Sequence, residues 1–114
     1  MAEFNQIKIA QVHKETKDTV VIAFDIPEQL RKTFHFIQGQ YLTLKAIING
    51  EEVRRSYSLS SSPSVDNFLK VTSKKVENGK MSHYLYDHVK AGDVLDVMPP
   101  EGNFIVETDA IRAN

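Results

Sequence analysis

Apolar residues recur at every second position through most of this chain, and that spacing predicts strands. The run "FNQIKIAQV" (4–12) alternates at Ile7 and Ile9. "TVVIAFDI" (19–26) places Val20, Ile22, Phe24 and Ile26 on one face. "QYLTLKAII" (40–48) does the same with Leu42, Leu44, Ala46 and Ile48. "NFLKVTSKKV" (67–76) brings Leu69 and Val71 together, and "DVLDVM" (93–98) and "NFIVE" (103–107) are shorter runs of the same kind. Turn residues separate them. Asn49-Gly50 predicts a tight hairpin, because both residues tolerate positive φ. Asn78-Gly79 is a second such turn, Pro99-Pro100 and Gly102 break the last two strands, and Pro27 opens a short helix over "PEQLRK".

One segment changes period. In "MSHYLYDHVKAGD" (81–93), Met81, Tyr84, Leu85 and His88 fall on a helical stripe, with Ser82 expected to cap the start and Gly92 to stop the end. About six strands and one good helix predict an all-β domain: a six-stranded antiparallel barrel with one capping α-helix. Phe24, Phe36, Tyr41 and Leu44 are expected in its core.

The 114 residues suit one domain, and 41% hydrophobic with 25% charged residues is ordinary globular composition. A net charge of −1 argues against a general nucleic-acid or anionic-membrane surface. With no cysteine, disulfides, thiolate-held zinc, a cysteine-ligated cluster and a cysteine nucleophile are excluded within these residues. The four histidines, at 13, 35, 83 and 88, have no metal-ligand spacing, so no metal site is expected. No run approaches the ~18 apolar residues of a membrane span, and the first residues lack the signature of a secretory leader. The expectation is a cytoplasmic protein.

Candidate chemistry lies in two places. In "EEVRRSYSLSSSP" (51–63), a strand would put Arg55 and Tyr57 on one face and Ser56 and Ser58 on the other. An arginine fork suits a phosphate and a phenol ring suits a flat heterocycle, but an edge strand with a solvated arginine has the same pattern. In "NGKMSHYL" (78–85), a glycine turn opens a helix. The first helical N–H groups lack partners and the dipole is positive there, so an anion could sit against Gly79, Lys80 and Ser82; an ordinary helix start would look alike. A ligand with both a ring and a diphosphate would need the two segments together.

Five segments in order, "GQYLTL" (39–44), "RRSYSLSSSP" (54–63), "LKVTSKKV" (69–76), "GKMSHYL" (79–85) and "PPEGNF" (99–104), resemble the flavin domain of the ferredoxin-NADP reductase-like family across nearly the whole chain. Within it, "GQYLTLKAIINGEEVRRSYSLSSS" looks most like the reductases that serve phenylacetyl-CoA oxygenases (epoxidases). The resemblance implies a Greek-key barrel that binds FAD at its open side. It implies that Arg55 holds the diphosphate, that Ser56, in the same strand motif, is a cofactor-binding residue, that Tyr57 packs on the isoalloxazine ring, and that Ser58 sits near its reactive N5 as the catalytic residue. Thr72, Ser73 and Lys74 would line the flavin and ribityl chain, and Gly79, Lys80, Met81 and Ser82 would wrap the diphosphate.

The resemblance also implies a nicotinamide-binding domain for NAD(P)H, an iron–sulfur (2Fe-2S) domain and an oxygenase component as partners. Neither domain is expected within residues 1–114, which would form the FAD-binding barrel alone. The tail "TDAIRAN" ends without punctuation, which reads as an excised piece. A β-barrel interaction domain without a redox role, and an FMN-binding relative, are the competing expectations.

Overall fold

The computed structural model describes residues 4–37, 39–59 and 68–102. Its strands are β1 (Asn5–Lys14), β2 (Thr19–Asp25), β3 (Tyr41–Ile48), β4 (Glu51–Ser58), β5 (Leu69–Lys74) and β6 (Val94–Val97), with one α-helix among the described residues, α1 (Lys80–Asp87). The expected strand over 103–107 lies outside the described residues. The six strands form one antiparallel sheet in the order β4-β3-β6-β1-β2-β5. β6 enters between β3 and β1, which is the Greek-key crossover. The sheet curls until its two edge strands approach, and an isolated bridge between Leu59 and Val71 joins them. The seam between β4 and β5 is otherwise unpaired among the described residues, and α1 packs over it.

The core follows the alternation. Ile7 and Ile9 of β1, Val20, Ile22 and Phe24 of β2, Leu42, Leu44 and Ala46 of β3, Leu69 and Val71 of β5, and Leu95 and Val97 of β6 are all buried. Met81, Leu85 and Val89 close the core from the helix side. In β1 the register shifts between Ile9 and Gln11 against β2, so the inward face moves from Ile7 and Ile9 to Val12. The Asn49-Gly50 hairpin forms as expected, with φ of 53° and 81°.

Five expectations need correction. The helix is shorter than 81–93: it runs Lys80–Asp87 and is capped by His88. Beyond the cap, the Asp93 carboxylate accepts from the Lys90 N–H at 3.0 Å. Gly92 is therefore not the helix stop. It sits in the following turn at φ 98° and donates its N–H to Ile9 O at 2.9 Å. Ser82 is not the cap either. Gly79 is the N-cap residue, and Ser82 lies inside the first turn. Finally, Tyr41 is exposed rather than core, because Leu42 and Leu44 take the inward positions of β3. The segment after Pro27 forms only a 3-10 turn at Glu28–Leu30.

Candidate functional site: the β4–β5 seam and the start of α1

Strand β4 alternates as a half-buried strand must. Val53 is buried and Tyr57 half-buried on one face, and Arg55 lies between them on that same face. Arg55 is exposed and lines the open seam. Across the seam, Lys74 ends β5, and the chain turns through Val76 and Asn78 into Gly79. Arg55, Ser56, Tyr57, Lys74, Val76, Gly79, Met81 and Ser82 together line a cleft of 230 Å³. A second cleft of 430 Å³ opens over Asn78, Gly79, Lys80 and His83, so the two share Gly79.

The helix start is held by Ser82. Its Oγ accepts from Val76 N at 3.2 Å and donates to Gly79 O at 3.1 Å, which pins the turn to the first helical residues. Among the described residues no side chain caps the N-terminus, so the leading N–H groups keep their capacity to donate. Gly79 has an ordinary φ of −86°, and its lack of a side chain matters for space instead. A Cβ there would lie 2.6 Å from both Ser82 Oγ and Val76 Cγ2.

The cations differ in how they are engaged. Arg54 is paired with Glu52 at 2.7 Å and lies over the Phe4 ring, on the face of β4 away from the seam. Arg55 has no ion pair among the described residues; its Nη1 donates to the Arg54 carbonyl at 2.6 Å. Lys80 forms an ion pair with Glu51 at the tip of the β3–β4 hairpin. That pair holds the Glu51 carboxyl below its ordinary value, first through the Lys80 hydrogen bond and charge, with Arg55 adding to it.

Tyr57 and Ser73 face each other inside the seam. Burial raises the Tyr57 phenol above its ordinary 10.0, with the Arg55 charge pulling the other way. The two hydroxyls stay outside hydrogen-bonding geometry, and Ser73 Oγ is buried without a hydrogen-bond partner among the described residues. A raised phenol favours the neutral form in the folded state, so the associated stability is present below the ordinary value and is lost as pH rises through the raised one. Absorbance titration at 295 nm should show a tyrosine ionising above the ordinary value, and Tyr57→Phe should remove that step. An orphaned buried hydroxyl costs about 1–3 kcal/mol. Ser73→Ala should therefore raise the unfolding free energy of the ligand-free chain by about 1 kcal/mol, measured by urea denaturation; a loss of stability would show that the hydroxyl does find a partner.

The remaining expected residues sit around this cleft in different ways. Ser56 Oγ is engaged with Thr43 Oγ1 at 2.9 Å, on the side opposite Arg55 and Tyr57. Ser58 is the last residue of β4 and lies opposite Tyr41. Thr72 is exposed on the outer side of β5, because Val71 and Ser73 occupy its inward positions. Met81 is 1% exposed and contributes mainly to the core, touching the cleft from beneath. Sequence reasoning placed Tyr41 in the core and passed over Glu51, which pairs with Lys80 beside the cleft. Tyr41 exchanges two backbone hydrogen bonds of 2.9 Å with Glu101, and Gly102 packs against its ring closely enough that a Cβ would come within 3.3 Å. The strand period at Leu42 and Leu44 signals that Tyr41 points outward. Glu51 carried no signal beyond its place next to a hairpin turn.

An uncapped helix start in a glycine cradle, an unpaired arginine, a half-buried phenol and an orphaned hydroxyl fit a ligand with a flat ring and a diphosphate. Among the described residues no helix is long and apolar enough to cross a membrane.

Comparison with known proteins agrees with this geometry. The chain is 39% identical over 112 residues to a component protein of the 1,2-phenylacetyl-CoA epoxidase of Escherichia coli (strain K12), covering 98% of this chain and 31% of that protein. It is 40% identical over 99 residues to the ferredoxin reductase component of the 3-ketosteroid-9-alpha-monooxygenase of Rhodococcus rhodochrous, covering 86% of this chain and 28% of that one. The structure of phthalate dioxygenase reductase, described as modular for electron transfer from pyridine nucleotides to 2Fe–2S, superposes with a TM-score of 0.72 at 27% identity, over 89% of this chain and 30% of that one. The chain thus spans about three tenths of the length of these relatives. The family described as the oxidoreductase FAD-binding domain matches residues 6–105, and by that match the chain belongs to this family of FAD-binding oxidoreductase domains.

Proposed function

We propose that the seam between β4 and β5 is the FAD seat of a reductase that draws electrons from NAD(P)H and delivers them, through an iron–sulfur centre, to an oxygenase. The observation that carries this reading is the convergence of Arg55, Tyr57, Lys74, Gly79, Met81 and Ser82 on one cleft from three separate elements. Arg55 would hold the diphosphate with the uncapped N–H groups that follow Gly79, and Lys80 would add charge. Tyr57 would cover the ring and exclude water from one side of it. Thr72, Ser73 and Lys74 would present their strand to the flavin and ribityl chain, with Ser73 Oγ available as a buried donor. Ser56 would brace the strand through Thr43. Ser58, at the strand end, would stand nearest the reacting part of the ring.

FAD supplies the redox chemistry, taking two electrons as hydride and releasing them singly. The chain's own part is to bind, orient and shield. The second cleft beyond Gly79 favours FAD over FMN, since it offers 430 Å³ where the adenylate half would continue past the diphosphate.

The other parts of such a reductase would lie outside residues 1–114. No cysteine is present to ligate a cluster, and the relatives are about three times as long. The likeness to the epoxidase component supports phenylacetyl-CoA oxygenation as the process served. It also supports the cytoplasm, where CoA thioesters are handled, as the location.

Titration of the chain with FAD, with FMN as the control, tests the seat by quenching of flavin fluorescence. Saturable quenching by FAD and much weaker quenching by FMN is the expected result. Equal binding of both would remove the diphosphate from the reading.

A further inference from the structure

Glu51 places a negative charge among the cations that face the seam. It follows the Asn49-Gly50 turn at the first position of β4, and its carboxylate pairs with Lys80 across 29 residues of sequence. Arg55, further along the same strand, also acts on that carboxylate. A single acidic side chain therefore neutralises Lys80 and bears on Arg55. Both ends of the pair are exposed, at 60% for Glu51 and 54% for Lys80, so the core does not need it.

From this we infer that Glu51 is a built-in counter-ion of the diphosphate subsite, which an incoming diphosphate must displace from Lys80 and which thereby sets how tightly the cofactor is held. The inference rests on the proposed role of Arg55 and Lys80 in holding the diphosphate.

The diphosphate and Glu51 compete for Lys80. A diphosphate carries about two negative charges, and it can take the Lys80 ammonium only by breaking the existing ion pair. With Glu51 still charged nearby, the bound diphosphate is also repelled at short range. Both effects oppose binding, and both vanish when the carboxylate is made neutral. The opposite role is also physically defined: if Glu51 instead holds Lys80 in the posture that binding requires, neutralising it would weaken binding. A reductase benefits from the first arrangement in one respect. Lys80 remains ordered in the empty site, and the cations do not attract unrelated anions as strongly.

The test is a double-variant cycle on the whole chain: wild type, Glu51→Gln, Lys80→Met and both together. The dissociation constant for FAD is read by fluorescence quenching at low and at moderate salt. Circular dichroism melts check that each variant is folded. The expected result is that Glu51→Gln tightens FAD by about threefold to tenfold at low salt, with the gain shrinking as salt rises. Lys80→Met should weaken FAD, and in that background Glu51→Gln should give a smaller gain, due to Arg55 alone.

If Lys80→Met weakens FAD but Glu51→Gln leaves it unchanged or weakens it, the counter-ion role is overturned and the diphosphate reading stands. If Lys80→Met has no effect on FAD, the place of Lys80 in the diphosphate reading fails and the inference fails with it. An equal gain from Glu51→Gln with and without Lys80 would also overturn the inference, since the effect would then not pass through that pair.

Discussion

Gly79→Val should destabilise the chain by about 2–3 kcal/mol and abolish measurable FAD binding at micromolar concentrations. The stability cost comes from space. The backbone of Gly79 is one that any residue adopts, at φ −86° and ψ 98°. Its Cβ, however, would lie 2.6 Å from Ser82 Oγ and 2.6 Å from Val76 Cγ2, and 3.1 Å from the Val76 carbonyl. Val76 is 55% exposed, so its methyl can swing outward. Ser82 has less freedom, because its hydroxyl is buried and bonded to both Val76 N and Gly79 O. Moving it breaks the tie that joins the turn to the helix. Overpacking of this kind costs typically about 1–3 kcal/mol, and loss of the hydrogen bonds adds to it.

The binding cost has a separate origin. The isopropyl group would stand where the two clefts meet and would screen the leading N–H groups of α1. Thermal unfolding by circular dichroism measures the first effect, with a fall of roughly 4–8 °C per kcal/mol for a domain of this size. Fluorescence titration measures the second. Gly79→Ala should show the stability loss in smaller measure, because its Cβ meets the same atoms without the further methyls. Wild-type stability in Gly79→Val would mean that the turn does not hold this close approach in solution.

The strands were legible in the sequence because one face of a curled sheet is buried and the other is wet. That forces a two-residue period, and Ile22, Phe24, Leu42, Leu44, Leu69 and Val71 all show it. The helix ends were less legible. Periodicity continues past Asp87 through Val89, which is buried although it lies outside the helix. Past the His88 cap the Lys90 N–H goes to the Asp93 carboxylate and not to a helical carbonyl, a local pairing that hydrophobic spacing does not report. The cap followed the same pattern: Ser82 bonds backward to Val76, so its hydroxyl fastens the turn instead of capping the helix.

The site was legible in its members and not in its arrangement. Arg55 and Tyr57 share a face because β4 is extended, which the sequence shows. Their meeting with Lys74 and Gly79 depends on β4 and β5 becoming the two edges of one curled sheet, which requires the strand order. Glu51 could not be found by any local signal, because its partner Lys80 is brought to it only by the packing of α1 over the seam.

The sharpest contrast expected at the site lies between two adjacent arginines. Arg55→Ala should weaken FAD binding by roughly 1.5–3 kcal/mol, the range for a hydrogen bond to a charged group, or about ten- to 150-fold. Arg54→Ala, one residue away and identical in charge, should change it by less than about threefold. Strand geometry separates them. Arg54 points to the outer face, where Glu52 and the Phe4 ring engage it. Arg55 points to the seam and has no ion pair among the described residues, so its guanidinium is held chiefly by a hydrogen bond to the Arg54 carbonyl, which it gives up when it turns to an anion. Because Arg55 is exposed, its removal should leave the melting temperature close to that of the wild type, and reduced binding can be read as lost contact with the ligand. Arg55→Lys should recover only part of the affinity, since an ammonium keeps the charge and loses the two-pronged geometry. The salt dependence gives a further check: wild-type affinity should fall as salt rises, and Arg55→Ala should flatten that slope. Equal losses for Arg54→Ala and Arg55→Ala would mean that bulk positive charge attracts the cofactor, and would count against a fixed contact from the seam face of β4.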